Sequence, residues 1–545
     1  MWRFAHDKLR EGVIASIAIP ERPGLHRLIA ETIEMLYEDN PDYTLPLALH
    51  WREAGDEARD MHYSSLAGSQ ILRQGIVSEA VSLLERAHRL GQRLPHDDLW
   101  YARLCHSLTE ATIAIGRPQQ SFAYLLEAIK TLKVPTLPPA ATVDEVLSRP
   151  IAIDLSGYSQ DARLLIHDIY MSLAYNYMEI SAQTLEGIET VLTAAAMQEP
   201  FGPSLALADA YALQAYALQL AGVPEQAALA AERAAVILVP MSEEDESQLP
   251  TMARALSNLA FYWTFAARWN ESLRDGQRAA RLYQRTGDPL RSRATLMNLA
   301  VTYEWQGDFK RGMELRQREY ETALRGNTIY GQVRALAGVG QLQAYMGDLD
   351  ASVASLEHRA ELVHILDNPT STRYTYLGMI YWKLGRLDEA VAVLGRALNE
   401  VRRIMLPTGH DLFSIPNTAE VLLGVWETTP EKAMPFLDDA PMVYRLLHDY
   451  ALRYASGESH MTVFMGRFAW LRGDHEEAMR LWRHAVEVGA TRGTPYAQAL
   501  ARLEIGRHLP ATDATRLPHL IKARDLFEAI GTTYDLSRVN RELNS

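Results

Sequence analysis

Few residues in this chain stand at spacings that do chemistry. His475-Glu476-Glu477 offers an imidazole beside two carboxylates, but no second histidine follows at the step that a helical H-E-x-x-H zinc site requires. The trio reads instead as a helix start, where acids favour the positive end of the helix dipole. The 17 histidines are scattered, and none is grouped with acids at metal-ligand spacing, so no metal is expected. Cys105 is the single cysteine. It excludes an internal disulfide framework and any multi-cysteine cluster, and without a partner base it reads as a packed thiol. No G-x-S-x-G elbow and no G-x-x-x-x-G-K-[ST] phosphate loop occurs. The acidic run Glu243-Glu244-Asp245-Glu246 lacks the loop glycine of a calcium site and reads as a solvated loop or helix start. Catalytic residues and cofactors are therefore expected to be absent.

What the sequence does carry is a repeated punctuation. Gly75, Gly116, Gly222, Ala267, Gly307, Gly347, Gly385 and Gly473 are each followed five residues later by a small residue: Ala80, Ser121, Ala227, Ser272, Gly312, Ser352, Ala390 and Ala478. Seven residues before each stands Gly68, Thr109, Ala215, Ala260, Ala300, Gly340, Gly378 or Gly466. Twelve residues after come Ala87, Ala128, Ala234, Ala279, Ala397 and Ala485, with Glu319 and Arg359 as the exceptions. A turn residue that accepts a left-handed backbone ends one helix. Small residues on either side let two antiparallel helices approach to about 8–10 Å. Large residues at i, i+3 and i+4, such as Leu377, Tyr381 and Leu384, then fill the groove to the next pair. One pair cannot bury its face alone, so the pairs must stack. No period-two run of β-branched residues competes, and the expected fold class is all-α, a solenoid of antiparallel helix pairs.

The expected organisation is a non-repeat segment over residues 1–50 and about ten to twelve helix pairs over 51–545. A proline-rich stretch near 133–160, with Pro135, Pro138, Pro139 and Pro150, argues for a surface excursion without helix. Asp39 and Asp42 around Asn40-Pro41 read as a turn. The 545 residues are 48% hydrophobic with a formal charge of −14, too apolar for disorder and too acidic for a chain-wide nucleic-acid surface. The N-terminus has no apolar signal core, and the least polar stretch, 204–222, contains Asp209, Gln214 and Gln219. These features point to a cytoplasmic chain without a membrane partner.

The column pattern, seen in Leu377-Gly378, Tyr381, Ala390 and Ala397, resembles the tetratricopeptide repeat (TPR), with pairs longer than the usual 34 residues. The N-terminal segment, with Phe4, His6, Asp7 and Glu11 followed by the apolar face Leu25, Leu28, Ile29, Ile33 and Leu36, resembles the junction in STAND-type bacterial signalling ATPases where a winged helix passes into TPRs. It is similar to the ATPase–TPR proteins related to class III adenylate/guanylate cyclases and LuxR-type regulators. That resemblance implies a partner ATPase domain and gives His6 a nucleotide-sensing role.

By the repeat positions of that family, the concave groove would be lined by Arg254, Phe261, Phe265, Glu304, Trp305, Arg334, Gln341, Tyr345, Met379, Trp382, Lys383, Arg467 and Trp470. Aromatic rings interleaved with arginine, lysine and glutamine suit capture of a protein, a peptide or a small effector. The expected function is a non-catalytic interaction module, the sensor or scaffold arm of a signalling ATPase, with no nucleic acid bound. The alternative is a nucleotide-binding or catalytic protein that uses His6, Asp7, Arg10 and Glu11.

Overall fold

A computed structural model describes residues 17–37, 40–135, 140–151, 153–180, 183–366 and 372–544. Among them every regular element is helical. The described residues form two compact units, one within 17–115 and 119–134 and the other within 116–118 and 135–544. The expected boundary at residue 50 falls inside the first unit, where the helices Arg22–Leu36 and Thr44–Glu53 lead into two repeat-like pairs. Trp51 is fully buried there with Ala30, Leu47 and Ala54, and its indole donates to Glu34 at 2.9 Å.

The punctuation read from the sequence has its physical counterpart. All eight turn positions adopt positive φ, from 57° at Ala267 to 86° at Gly473. In three of them the next residue caps the following helix. Asp308, Asp348 and Asp474 accept from the backbone N–H of Arg311, Ala351 and Glu477 at 3.1–3.2 Å. His475-Glu476-Glu477 accordingly opens the helix His475–Arg492. The small columns mark real approaches. A Cβ on Gly340 would stand 2.5 Å from Leu356, and one on Gly466 would stand 2.3 Å from the Trp482 indole.

The proline-rich stretch differs from expectation. A short helix, Val143–Ser148, lies inside it, because Thr142 accepts from the Glu145 N–H and Glu145 reaches back to the Ala141 N–H. The prolines flank this capped turn rather than interrupt it. A second irregularity follows Ser414–Thr428, whose antiparallel partner is broken into Pro430–Ala433, a 3-10 turn and then Ala440–Arg453. No described helix is long and apolar enough to cross a membrane.

In the larger unit the coil is tight. The end of one first helix meets the start of the first helix four pairs later: Leu249–Phe265, Pro289–Trp305, Ile329–Met346 and Tyr374–Lys383 meet the regions that open at Gly409, Glu458, Pro495 and Thr533. The packing of these aromatic ends sets where open space remains.

Candidate functional site

Each expected groove residue of the larger unit is engaged by another part of the same unit. Phe265 is 1% exposed, flanked by Phe261, Tyr216 and Tyr454, and its ring lies where a Cβ on Gly409 would be. Trp305 faces His460 edge-on at 6.0 Å, and Tyr345 meets Tyr496 at 4.5 Å. Aromatic pairs of this kind contribute about 0.5–1.5 kcal/mol each beyond burial. Gln341 and Asn417 exchange two amide hydrogen bonds at 2.9 and 3.2 Å. Lys383 is buried against Glu420 at 2.7 Å and over the Tyr534 ring at 4.4 Å. Met379 is fully buried, and the Trp382 ring lies on Gly424. Trp470 stacks on His475 at 4.0 Å. Arg467 pairs with Glu427 at 3.0 Å. Arg254 bridges Asp209 and Asp168 at 2.7 and 2.6 Å, and the two carboxylates keep its guanidinium charged against the cost of burial.

Open space remains beside this seam. A cavity of about 170 Å³ lies among the first helices Pro289–Trp305, Ile329–Met346 and Tyr374–Lys383, the second helices Phe309–Arg325 and Leu349–Ile365, and the segment 400–414. Of the expected groove residues, Arg334 is the one that lines it, among the described residues. Its other polar walls are Arg316, Arg359, Arg403, Tyr330, Tyr376, Glu400 and Asp411, and Met178, Met297, Val301, Met405 and Phe413 supply apolar surface.

The arginines are held differently. Arg316 is buried between Glu304 at 2.8 Å and Glu319 at 3.3 Å. Burial opposes its charge, but the two carboxylates outweigh it and raise the pKa; burial also raises that of Glu319. Gly338 makes room for this group, since a Cβ there would stand 2.2 Å from Arg316 Nε. Arg334 donates to the Tyr330 hydroxyl at 2.9 Å. Arg359, 5% exposed, donates to the carbonyls of Val333 at 3.1 Å and of Thr372, and its guanidinium lies 4.4 Å over the Tyr376 ring. Burial lowers its pKa. Arg403 is exposed at the cavity wall.

The acids are already committed. Glu400 accepts from the backbone N–H groups of Arg373, Tyr374 and Thr375 at 2.7–3.1 Å, capping the helix Tyr374–Lys383. Asp411 accepts from the Thr408 N–H and hydroxyl and from Ser414. No described histidine or cysteine lines the cavity. The sequence held a signal for this place. Glu319 and Arg359 are the two departures from the small-residue column, and both are buried beside it.

One grouping of possible metal ligands occurs among the described residues, His88, Cys105 and Glu127 in the smaller unit, with ligand atoms within 4.8 Å of one another. The two oxygens of Glu127 are taken by His88 Nε2 at 3.0 Å and the Tyr101 hydroxyl at 2.7 Å. Burial pushes the Cys105 thiol well up. A histidine is thus grouped with an acid beside the single cysteine, which the sequence spacing did not show, because the three residues come from three different helices. His6, Asp7, Arg10 and Glu11 lie outside the described residues.

Comparison with known proteins gives a match to the tetratricopeptide repeat family over residues 370–410. That segment includes Tyr376, Glu400 and Arg403 of the cavity wall. No curated protein matches the chain. Among solved structures it is similar to a Rap protein complexed with competence and sporulation factor, at 11% identity and TM-score 0.46, covering 79% of this chain and 98% of that one. It is also similar to aspartyl phosphate phosphatase F from Bacillus subtilis, at 10% identity and TM-score 0.32, with 78% and 93% covered. A third is the APC/C hetero-tetramer Cut9-Hcn1, at 13% identity and TM-score 0.35, with 87% and 92% covered. The chain is a TPR-like all-α solenoid.

Proposed function

We propose that this chain is a non-catalytic TPR-like interaction module that captures a partner or effector at the cavity beside the closed seam. The observation that carries the reading is the contrast between the two parts of the inner face. The aromatic ends of the first helices are paired with one another, while Arg359, Arg403, Tyr330 and Tyr376 surround open space. A polar wall of arginines and tyrosines beside apolar surface suits recognition. The ligand would act by favouring one arrangement of stacked pairs over another, which requires different contacts in the two.

The signalling context rests on the N-terminal resemblance. We assign residues 1–50 to contact with another domain, an ATPase of the STAND type. The exposed residues Leu25, Leu28, Ile29 and Leu36 on the helix Arg22–Leu36 support that assignment, since an apolar helix face left in water suits docking.

Thermal denaturation in the presence of candidate effectors tests the binding role. A ligand at a hundred times its Kd adds about 2.7 kcal/mol to the unfolding free energy. Tyr376→Ala is expected to abolish that stabilisation, and the ligand is expected to be recovered unchanged. Conversion of the ligand into a product contradicts the non-catalytic reading, and stabilisation that survives Tyr376→Ala places recognition elsewhere.

A further inference from the structure

We infer that the cavity binds an anionic head group, a carboxylate or a phosphate, carried on an apolar body. The inference rests on the cavity being the recognition site.

The charge of the wall is the first argument. Four arginines line the cavity against two carboxylates, and both carboxylates already accept hydrogen bonds from backbone or hydroxyl donors. Arg316 has its own deeper pair in Glu304 and Glu319. Arg359 has no carboxylate in direct contact: among the described residues its guanidinium bonds to two carbonyls and lies over an aromatic face, and the nearby Glu400 that acts on its charge spends its oxygens on three backbone N–H groups. Guanidinium remains charged in proteins, so burying it without a carboxylate in direct contact is costly unless an anion can reach it. Carbonyl dipoles and the Tyr376 ring offset part of that cost and leave room for a fully charged partner.

The placement of donors is the second argument. Arg334 and Arg359 belong to helices of the same pair, Ile329–Met346 and Leu349–Ile365, and Arg403 comes from the segment that follows the next pair. The donors of three elements thus converge on one space, with Tyr330 and Tyr376 beside them. Fork-shaped guanidinium donors match the oxygens of carboxylate and phosphate. The remaining wall, Met178, Met297, Val301, Met405, Leu406 and Phe413, is apolar and includes three flexible methionines that adapt to the shape of a hydrocarbon body. An uncharged ligand would leave Arg359 without a charged partner in contact, and a free inorganic anion would leave the apolar wall unused.

Isothermal titration of the full chain with octanoate, octyl phosphate, octanol and inorganic phosphate tests this. Octanoate or octyl phosphate is expected to bind at one site, with octanol at least about tenfold weaker, the factor a charge-assisted hydrogen bond supplies. Competition by inorganic phosphate marks the head group as the recognised part. Arg359→Gln is expected to weaken the acids by about 10- to 100-fold and to leave octanol unchanged. Arg403→Gln, at an exposed position that does not threaten folding, is expected to weaken the acids by about 2- to 5-fold. Equal binding of octanol and the acids overturns the anionic inference while leaving the cavity as a binding site. Acid binding unchanged in both variants overturns the inference and the cavity reading together. No heat from either acid at about 10 mM, with native circular dichroism, also overturns the inference.

Discussion

His460 is buried in the aromatic seam, with the rings of Trp305, Phe464 and Tyr496 around it at 5.4–6.0 Å. Burial, reinforced by the Lys383 ammonium and opposed by Asp535, lowers its pKa to about 4 from an ordinary 6.5. The unfolded chain therefore takes up a proton on this side chain as pH falls through 6.5, while the folded chain resists until about pH 4. Above pH 6.5 the group contributes no pH dependence. Between pH 6.5 and 4 it destabilises the fold progressively, by about 2 kcal/mol at pH 5. His460→Phe is expected to flatten this part of the acid sensitivity, read as a smaller drop in denaturation midpoint between pH 7 and 5. An unchanged drop contradicts the buried neutral imidazole. Glu504 titrates in a different window: burial opposes its charge, but Arg507, Arg467 and Arg538 outweigh burial and hold it at about 2, so its contribution is present above pH 4.5 and is lost only as pH falls towards 2.

At the scale of the element, the turns obey a local rule. Seven of the eight column positions are glycine, and Ala267 alone bears a Cβ at positive φ, 57°. A left-handed residue other than glycine costs about 1–2 kcal/mol. Ala267→Gly is expected to stabilise the protein by about 1 kcal/mol, the strain relieved less the extra chain entropy of glycine. Gly347→Ala is expected to lose at least about 1–2 kcal/mol, because a Cβ at φ 84° also meets Thr533 Oγ1 at 2.1 Å. Opposite signs in thermal denaturation check the pair; a destabilised Ala267→Gly contradicts the strain argument. This rule is why the helix pairs were legible in the sequence. The backbone requirement at Gly307 or Gly473 depends on its own φ and on the aspartate that follows, both within a few residues. The helix Val143–Ser148 was not legible, because the cap formed by Thr142 and Glu145 is a weaker pattern than the prolines around it.

At the scale of the larger unit, the decisive contacts join residues far apart in the chain. The aromatic and charged character of Phe265, Trp305, Tyr345 and Lys383 was visible in the sequence, and so was their position on first helices. Their partners were not, since Tyr454, His460, Tyr496 and Tyr534 lie more than a hundred residues onward and depend on the pitch of the coil. That pitch accumulates from small rotations between neighbouring pairs, which no single column of residues encodes. The cavity was half legible. Arg334 was read from its repeat position, whereas Arg359 was visible only as a break in the small-residue column.

Successive turns of the coil also touch at their edges. Arg453 Nε donates to the Leu220 carbonyl at 3.0 Å, the Trp269 indole donates to the Arg492 carbonyl at 2.6 Å, and Gly307 lies against Pro495 and Ile530. A Cβ on Gly307 would stand 3.5 Å from the Ile530 Cβ, within the range of a disulfide, about 3.5–4.5 Å; it would also sit at φ 77°, a strain of about 1–2 kcal/mol, and 2.7 Å from Pro495 Cγ, a clash that Pro495→Ala removes. The one native thiol, Cys105, is buried in the other unit and does not compete. Oxidation of the Gly307→Cys/Pro495→Ala/Ile530→Cys variant, followed by non-reducing electrophoresis and peptide mapping, tests the closed coil most directly. Near-complete formation of the 307–530 disulfide, with helicity unchanged from the reduced form, is the predicted result. Two free thiols in a protein that retains its full helicity would contradict the closure on which both the seam and the cavity depend.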